Sequence, residues 1–164
     1  MKSALVLLLM TMSAALPAQK RRSPPAGVPF DPADISGQYE FLREEEALQL
    51  TVQPGSEKQA EHKVSGFVSR HGDSESDRGT MLDHWIKDGT LRGNQLRFRT
   101  TTINGVWFEF DGRIERGPGA TRSARGYYVV RGKLTEHVLD REKHDSARSR
   151  EVEFNSQPED LQDR

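Results

Sequence analysis

The chain has 164 residues, with 24 Lys and Arg against 25 Asp and Glu, a net charge of −1. It contains no cysteine, which excludes a disulfide framework and a lipidated N-terminal cysteine. Between Ile35 and Leu139 acids and bases number 15 each, a balance that argues against nucleic-acid binding, where a clustered positive surface supplies most of the affinity.

In chain order, Lys2 precedes an apolar run from Ala4 to Met12 and then Ser13-Ala14-Ala15-Leu16-Pro17-Ala18. A positive charge, a short apolar stretch and small residues in that order read as a cleavable signal peptide over residues 1–18, cut after Ala18 or after Ala15. The apolar run is shorter than the roughly 20 residues a membrane span needs. The expectation is therefore an exported protein, periplasmic or extracellular, with no membrane span. Residues 19–34 carry Lys20-Arg21-Arg22 and prolines at 24, 25, 29 and 32, which reads as an extended linker. Residues 140–164 are highly charged and nearly free of large apolar side chains, so they read as a solvated tail or a frayed helix.

From Ile35 to Leu139, apolar residues alternate with polar ones in short runs separated by Gly, Asn and Asp, the pattern of antiparallel strands. The runs are Ser36–Phe41, Ala47–Val52, Lys63–Ser69, Thr80–Lys87, Thr90–Arg92, Gln95–Thr102, Val106–Glu115 and Arg125–Leu134. About eight strands without a helical period between them predict an all-β fold, a single antiparallel meander closed or nearly closed into an up-and-down barrel.

Hairpin registers follow from the rule that directly opposed residues share a face. A three-residue loop Ile103-Asn104-Gly105, with Gly105 left-handed, pairs Phe98 with Phe110, Leu96 with Gly112, Arg99 with Glu109 and Arg97 with Asp111. A two-residue turn at Asp88-Gly89 would oppose Ile86 and Leu91, and one at Gly93-Asn94 would oppose Leu91 and Leu96. The resulting inner face includes Tyr39, Leu48, Leu50, Val68, His84, Phe98, Phe108, Phe110, Ile114, Tyr128, Val130 and Leu134. Gly66, Gly112 and Gly132 share that parity, as strand-bending glycines do.

The opening Ile35-Ser36-Gly37-Gln38-Tyr39 resembles the Gly-x-Trp start of lipocalins and other calycins, with Tyr in the Trp place. The stretch Asp88-Gly89-Thr90-Leu91-Arg92-Gly93-Asn94-Gln95-Leu96-Arg97-Phe98 is similar to turns in secreted bacterial lipocalin-like barrels. The resemblance implies an up-and-down barrel that binds a small apolar ligand or serves as a scaffold.

Candidate ligand-binding residues on the inner face are Tyr39, His84, Phe98, Phe110 and Tyr128. His84 among apolar neighbours could orient a ligand or act as a general base, with Tyr39 or Tyr128 as its partner in a cofactor-free isomerase or hydrolase; its bland reading is a satisfied core histidine. Large apolar residues of the opposite parity, Phe67, Met81, Trp85, Trp107, Tyr127 and Val129, mark either a covered surface or an interaction patch. The Asp73-Ser74-Glu75-Ser76-Asp77 run lacks the glycine and the glutamate that a calcium loop needs at its sixth and twelfth positions, where Arg78 and His84 stand. No histidine pair has zinc-site spacing, and no nucleophile elbow, phosphate loop or dinucleotide fingerprint is found. No metal or cofactor is expected. The reading leans to a non-enzymatic exported barrel that binds a small apolar ligand or a partner protein, with an enzyme or a structural envelope module as alternatives.

Overall fold

A computed structural model of the chain describes residues 31–41, 46–53, 55, 61–72, 77–140 and 142–158. The expected signal peptide, most of the linker and the first four residues of the Asp73–Asp77 run lie outside the described residues.

Eight antiparallel strands follow one another around a closed barrel: β1 (Gly37–Phe41), β2 (Ala47–Gln53), β3 (Glu61–His71), β4 (Met81–Arg92), β5 (Gln95–Thr100), β6 (Val106–Arg116), β7 (Tyr128–Leu139) and β8 (Asp145–Ser156). Each strand pairs with its neighbour in sequence, and β8 returns to β1 through Tyr39↔Ser156, Glu40↔Asn155 and Phe41↔Phe154. The alternation of the sequence fills the inside: Tyr39, Leu48, Leu50, Leu96, Phe108, Ile114, Val130 and Phe154 are at most 1% exposed. The outer face is dense in charge, with pairs such as Arg97–Asp111 and Arg131–Glu153. This is the reverse of a lipid-facing barrel, whose outer band is apolar.

Three sequence expectations are corrected. Residues 140–164 are not all tail, because Asp145–Ser156 is the strand that closes the ring. Its charged half, Asp145 to Glu151, is exposed, while Val152 and Phe154 enter the core. The linker ends at Asp31, since Pro32–Ile35 form one helical turn, α1. Finally, Asp88-Gly89 is no hairpin turn, and Thr90–Arg92 is the end of β4. One extra residue in β4 near Ile86–Asp88 shifts the register against both neighbours, giving Ile86↔Thr100 and then Asp88↔Arg99, which is a β-bulge. A Cβ on Gly89 would lie 2.8 Å from Ile86 Cγ2 and 3.0 Å from the Val64 carbonyl carbon. Gly89 therefore serves the close approach of β3 to the bulge, and two strands expected from the sequence become one.

The β5–β6 register is as expected, Arg97↔Asp111, Phe98↔Phe110 and Arg99↔Glu109, but the connection that sets it differs. Ile103 and Val106 exchange backbone hydrogen bonds of 2.8 Å around a two-residue Asn104-Gly105 turn with φ of 49° and 80°. Thr101 and Thr102 absorb the extra residue instead, ahead of the turn. The Gly93-Asn94 turn opposes Leu91 and Leu96 as expected.

Candidate binding site

The five inner-face candidates fall into three groups. Phe98 and Phe110 stack on each other with ring centroids 5.1 Å apart, and Phe110 meets Phe154 edge-on at 6.5 Å. Both are under 5% exposed, so their ring faces are engaged in filling the barrel.

Tyr39 and Tyr128 sit at the end closed by α1. The Tyr39 hydroxyl donates to the Ile35 carbonyl at 2.6 Å, and Ser36 Oγ accepts from the Val52 amide at 2.9 Å. Arg122 from the β6–β7 connection binds Asp34 of α1. Ile35, fully buried, is thereby fixed as a plug in the core. Burial pushes the Tyr39 phenol well above its ordinary range, and the neighbouring Tyr128 adds to the rise.

His84 belongs to the opposite end, where the β3–β4 and β5–β6 connections lie. It is 1% exposed and meets Phe108 edge-on at 4.9 Å. Arg70, which is ion-paired with Glu136, lies 5.7 Å above the same Phe108 ring. Burial first and the Arg70 charge second hold the imidazole below its ordinary pKa, opposed by a hydrogen bond with the Thr101 backbone. Among the described residues, nothing hydrogen-bonds the buried Nδ1. The adjoining concavity, about 70 Å³ and lined by Arg70, Leu82, His84 and Asn104 among others, shares no residue with the one beside Tyr39 and Tyr128. The expected partnership of His84 with either tyrosine is therefore corrected: the two ends of a packed barrel separate them.

The outward set divides as well. Trp85 is 56% exposed and Met81 46%. Phe67, opposite Trp85 across the β3–β4 ladder, presents its ring edge-on at 5.0 Å and steadies the indole. Trp107 is only 9% exposed, because it stacks on His137 at 4.7 Å and 7° while Arg99 lies 5.5 Å above its ring. Val129 is fully buried under the β6–β7 connection, whose Gly117 amide bonds the Tyr127 carbonyl. Tyr127 carries the Arg116 guanidinium 3.2 Å from its ring centroid. Of the expected patch, then, Phe67 and Trp85 face outward together, whereas Trp107 and Tyr127 are covered by charged or aromatic neighbours.

No protein-family model matches the chain, and no curated protein matches it. The closed meander is compatible with a lipocalin-like barrel.

A concavity of about 1020 Å³ opens across β3–β7 and touches Gln53 of β2; outward residues such as Lys63, Arg97 and Asp111 line it together with the inward Val64, Phe98 and Phe110. Its floor is the bulged region, where Ile86, Lys87, Asp88 and Gly89 all line it. An extra residue turns both Lys87 and Asp88 to solvent, and a bulge bends its strand away from a regular ladder. Arg99 belongs to the concavity and also covers Trp107, so the groove runs up to that indole. The sequence missed this surface because Lys87-Asp88-Gly89 has the composition of a turn.

A cation could be held only loosely by the described residues. Asp140, Glu142 and His144 in the β7–β8 turn bring ligand atoms within 4.8 Å of one another, but all three are exposed and His144 already pairs with Asp140 at 3.2 Å.

Proposed function

We propose that this is an exported, non-enzymatic binding protein whose ligand seats on the outer face of the barrel, over the groove across β3–β7 and against the Trp85 indole. The observation that carries this reading is the contrast between the two sets of aromatic residues. Phe98 and Phe110, the inner rings that would receive an apolar guest, are stacked on each other and under 5% exposed, while Trp85 stands 56% exposed on a ring that braces it. A large aromatic group left in water beside a concavity is the usual mark of an interaction site.

Trp85 and Trp107 are the two tryptophans of the chain, so Trp107→Phe leaves Trp85 as the only indole reporter. In that variant, a soluble ligand of the outer face should shift and quench tryptophan emission, and Trp85→Ala in the parent protein should abolish binding while leaving the melting temperature within a few degrees. Stoichiometric uptake of cis-parinaric acid with Trp85 emission unchanged would instead place the ligand inside the barrel and end this reading.

A further inference from the structure

We propose that the outer groove takes an acidic polysaccharide, a glycan chain carrying carboxylate or sulfate groups; this rests on the outer-face reading above. Two of the groove's cations are already engaged: Arg97 pairs with Asp111 at 3.1 Å and Arg99 with Glu109 at 3.8 Å. Lys63, Lys87 and Lys133 line the same groove, and among the described residues none of them has a carboxylate within ion-pair distance. They are spread rather than clustered. Lys63 and Lys133 occupy one cross-strand row through Thr90, Arg97 and Asp111, four strand spacings or about 19 Å along the sheet. Lys87 reaches solvent from the bulge between them.

This layout selects a ligand class. A residual positive charge distributed over the length of a groove suits an extended anion better than a compact one. The interleaved carboxylates of Glu61, Asp88, Glu109 and Asp111 are hydrogen-bond acceptors that a phosphodiester chain without hydroxyl groups leaves unmatched. They would accept hydrogen bonds from a chain that carries hydroxyl groups beside its anions. Trp85, one outward position along β4 from Lys87, offers an apolar face on which the C–H side of a pyranose ring can stack. With a net charge of −1 for the whole chain, attraction of a polyanion has to come from this local arrangement, because the global charge opposes it.

The test is a titration of the purified protein with polygalacturonate, heparin, neutral dextran and a single-stranded DNA oligonucleotide at low and moderate salt. Polygalacturonate or heparin should bind, more weakly as salt rises, with dextran at least tenfold weaker. The combined Lys63→Gln, Lys87→Gln and Lys133→Gln variant should lose at least tenfold in affinity with an unchanged thermal midpoint, since all three side chains lie on the surface. Absence of binding by both acidic glycans overturns the proposal, as does undiminished binding by the triple variant. Dextran binding as tightly as the acidic glycans and quenching Trp85 overturns the acidic assignment but keeps the outer-face reading. Tighter binding of DNA through the same lysines does likewise. Failure of every probe to perturb Trp85, together with uptake of cis-parinaric acid, removes both.

Discussion

Gly112 faces Gly132 across the β6–β7 ladder, and a Cβ on Gly132 would lie 2.9 Å from the Phe110 ring tip. The same inner row continues to Leu96 on one side and Val152 on the other, so the glycine pair is a notch in an otherwise filled layer. Phe110 lies over that notch, which is why it can also stack on Phe98 and reach Phe154. Gly132→Ala should therefore force the ring or the facing backbone to move and lower stability by about 2–3 kcal/mol, as overpacking of a tight core does. Urea unfolding of the variant measures it; an unchanged midpoint would refute the tight approach of this Cβ to the β6 backbone, whose Asp111 carbonyl oxygen and Gly112 Cα both lie closer to it than the Phe110 ring tip does.

Closure by β8 gives Phe154 a disproportionate role. It is fully buried, pairs with Val130 on one side and Phe41 on the other, and touches Phe110. Phe154→Ala should cost about 3–5 kcal/mol, enough to remove much of a typical domain's stability. Circular dichroism and size-exclusion chromatography should show an expanded chain or a lowered melting temperature. A variant as stable as the parent would contradict closure of the ring by this strand.

His84 makes the fold sensitive to mild acid. Its folded-state pKa lies below the ordinary value of 6.5, so above that pH both folded and unfolded chains hold it neutral and it adds no pH dependence. As pH falls below about 6.5 the unfolded chain takes up a proton that the folded chain resists, and stability declines. His84→Leu removes this term. Relative to the parent, the variant should gain stability steadily between pH 7 and pH 5 in denaturant titrations, and a constant offset across that range would refute the assignment.

The two indoles should report opposite environments. Acrylamide should quench Trp85 strongly in the Trp107→Phe variant, with red-shifted emission, and should quench Trp107 weakly in Trp85→Phe. Equal quenching would mean that the His137 stack and the Arg99 cover do not shield Trp107 in solution.

The alternation of apolar residues made the all-β meander and most of the inner face legible, because a period of two leaves little choice about which side chains are buried. The strand count came out at eight through two errors that offset each other. Asp88-Gly89 has turn chemistry, yet β3 and β5 hold it inside a continuous strand as a bulge, a tertiary effect that no local dipeptide encodes. Conversely, β8 carries Asp, Ser, Arg and Glu over its first half because that half is solvent-exposed; only Glu151-Val152-Glu153-Phe154-Asn155 shows the alternation that could have revealed it. Site residues were less legible than the core. Outward parity alone did not tell Trp85 from Trp107, since shielding of Trp107 depends on His137 and Arg99 from two other strands. Likewise, Tyr39 and His84 have the same inward parity but end up in separate concavities.

The β1–β8 seam sets an order of events for the newborn chain. Synthesis runs from β1 to β8, and seven strands can pair with a neighbour as soon as it emerges, yet the free edge of β1 has to wait for the residues around Phe154. Until then the sheet is an open strip with two unsatisfied edges, the form most prone to pairing with another chain. The three residue pairs of that seam, beside the eleven that join β7 to β8, also make it the place where the finished ring should breathe first. Amide hydrogen exchange at Glu40 and Asn155 should be faster than at Arg131 and Gly132.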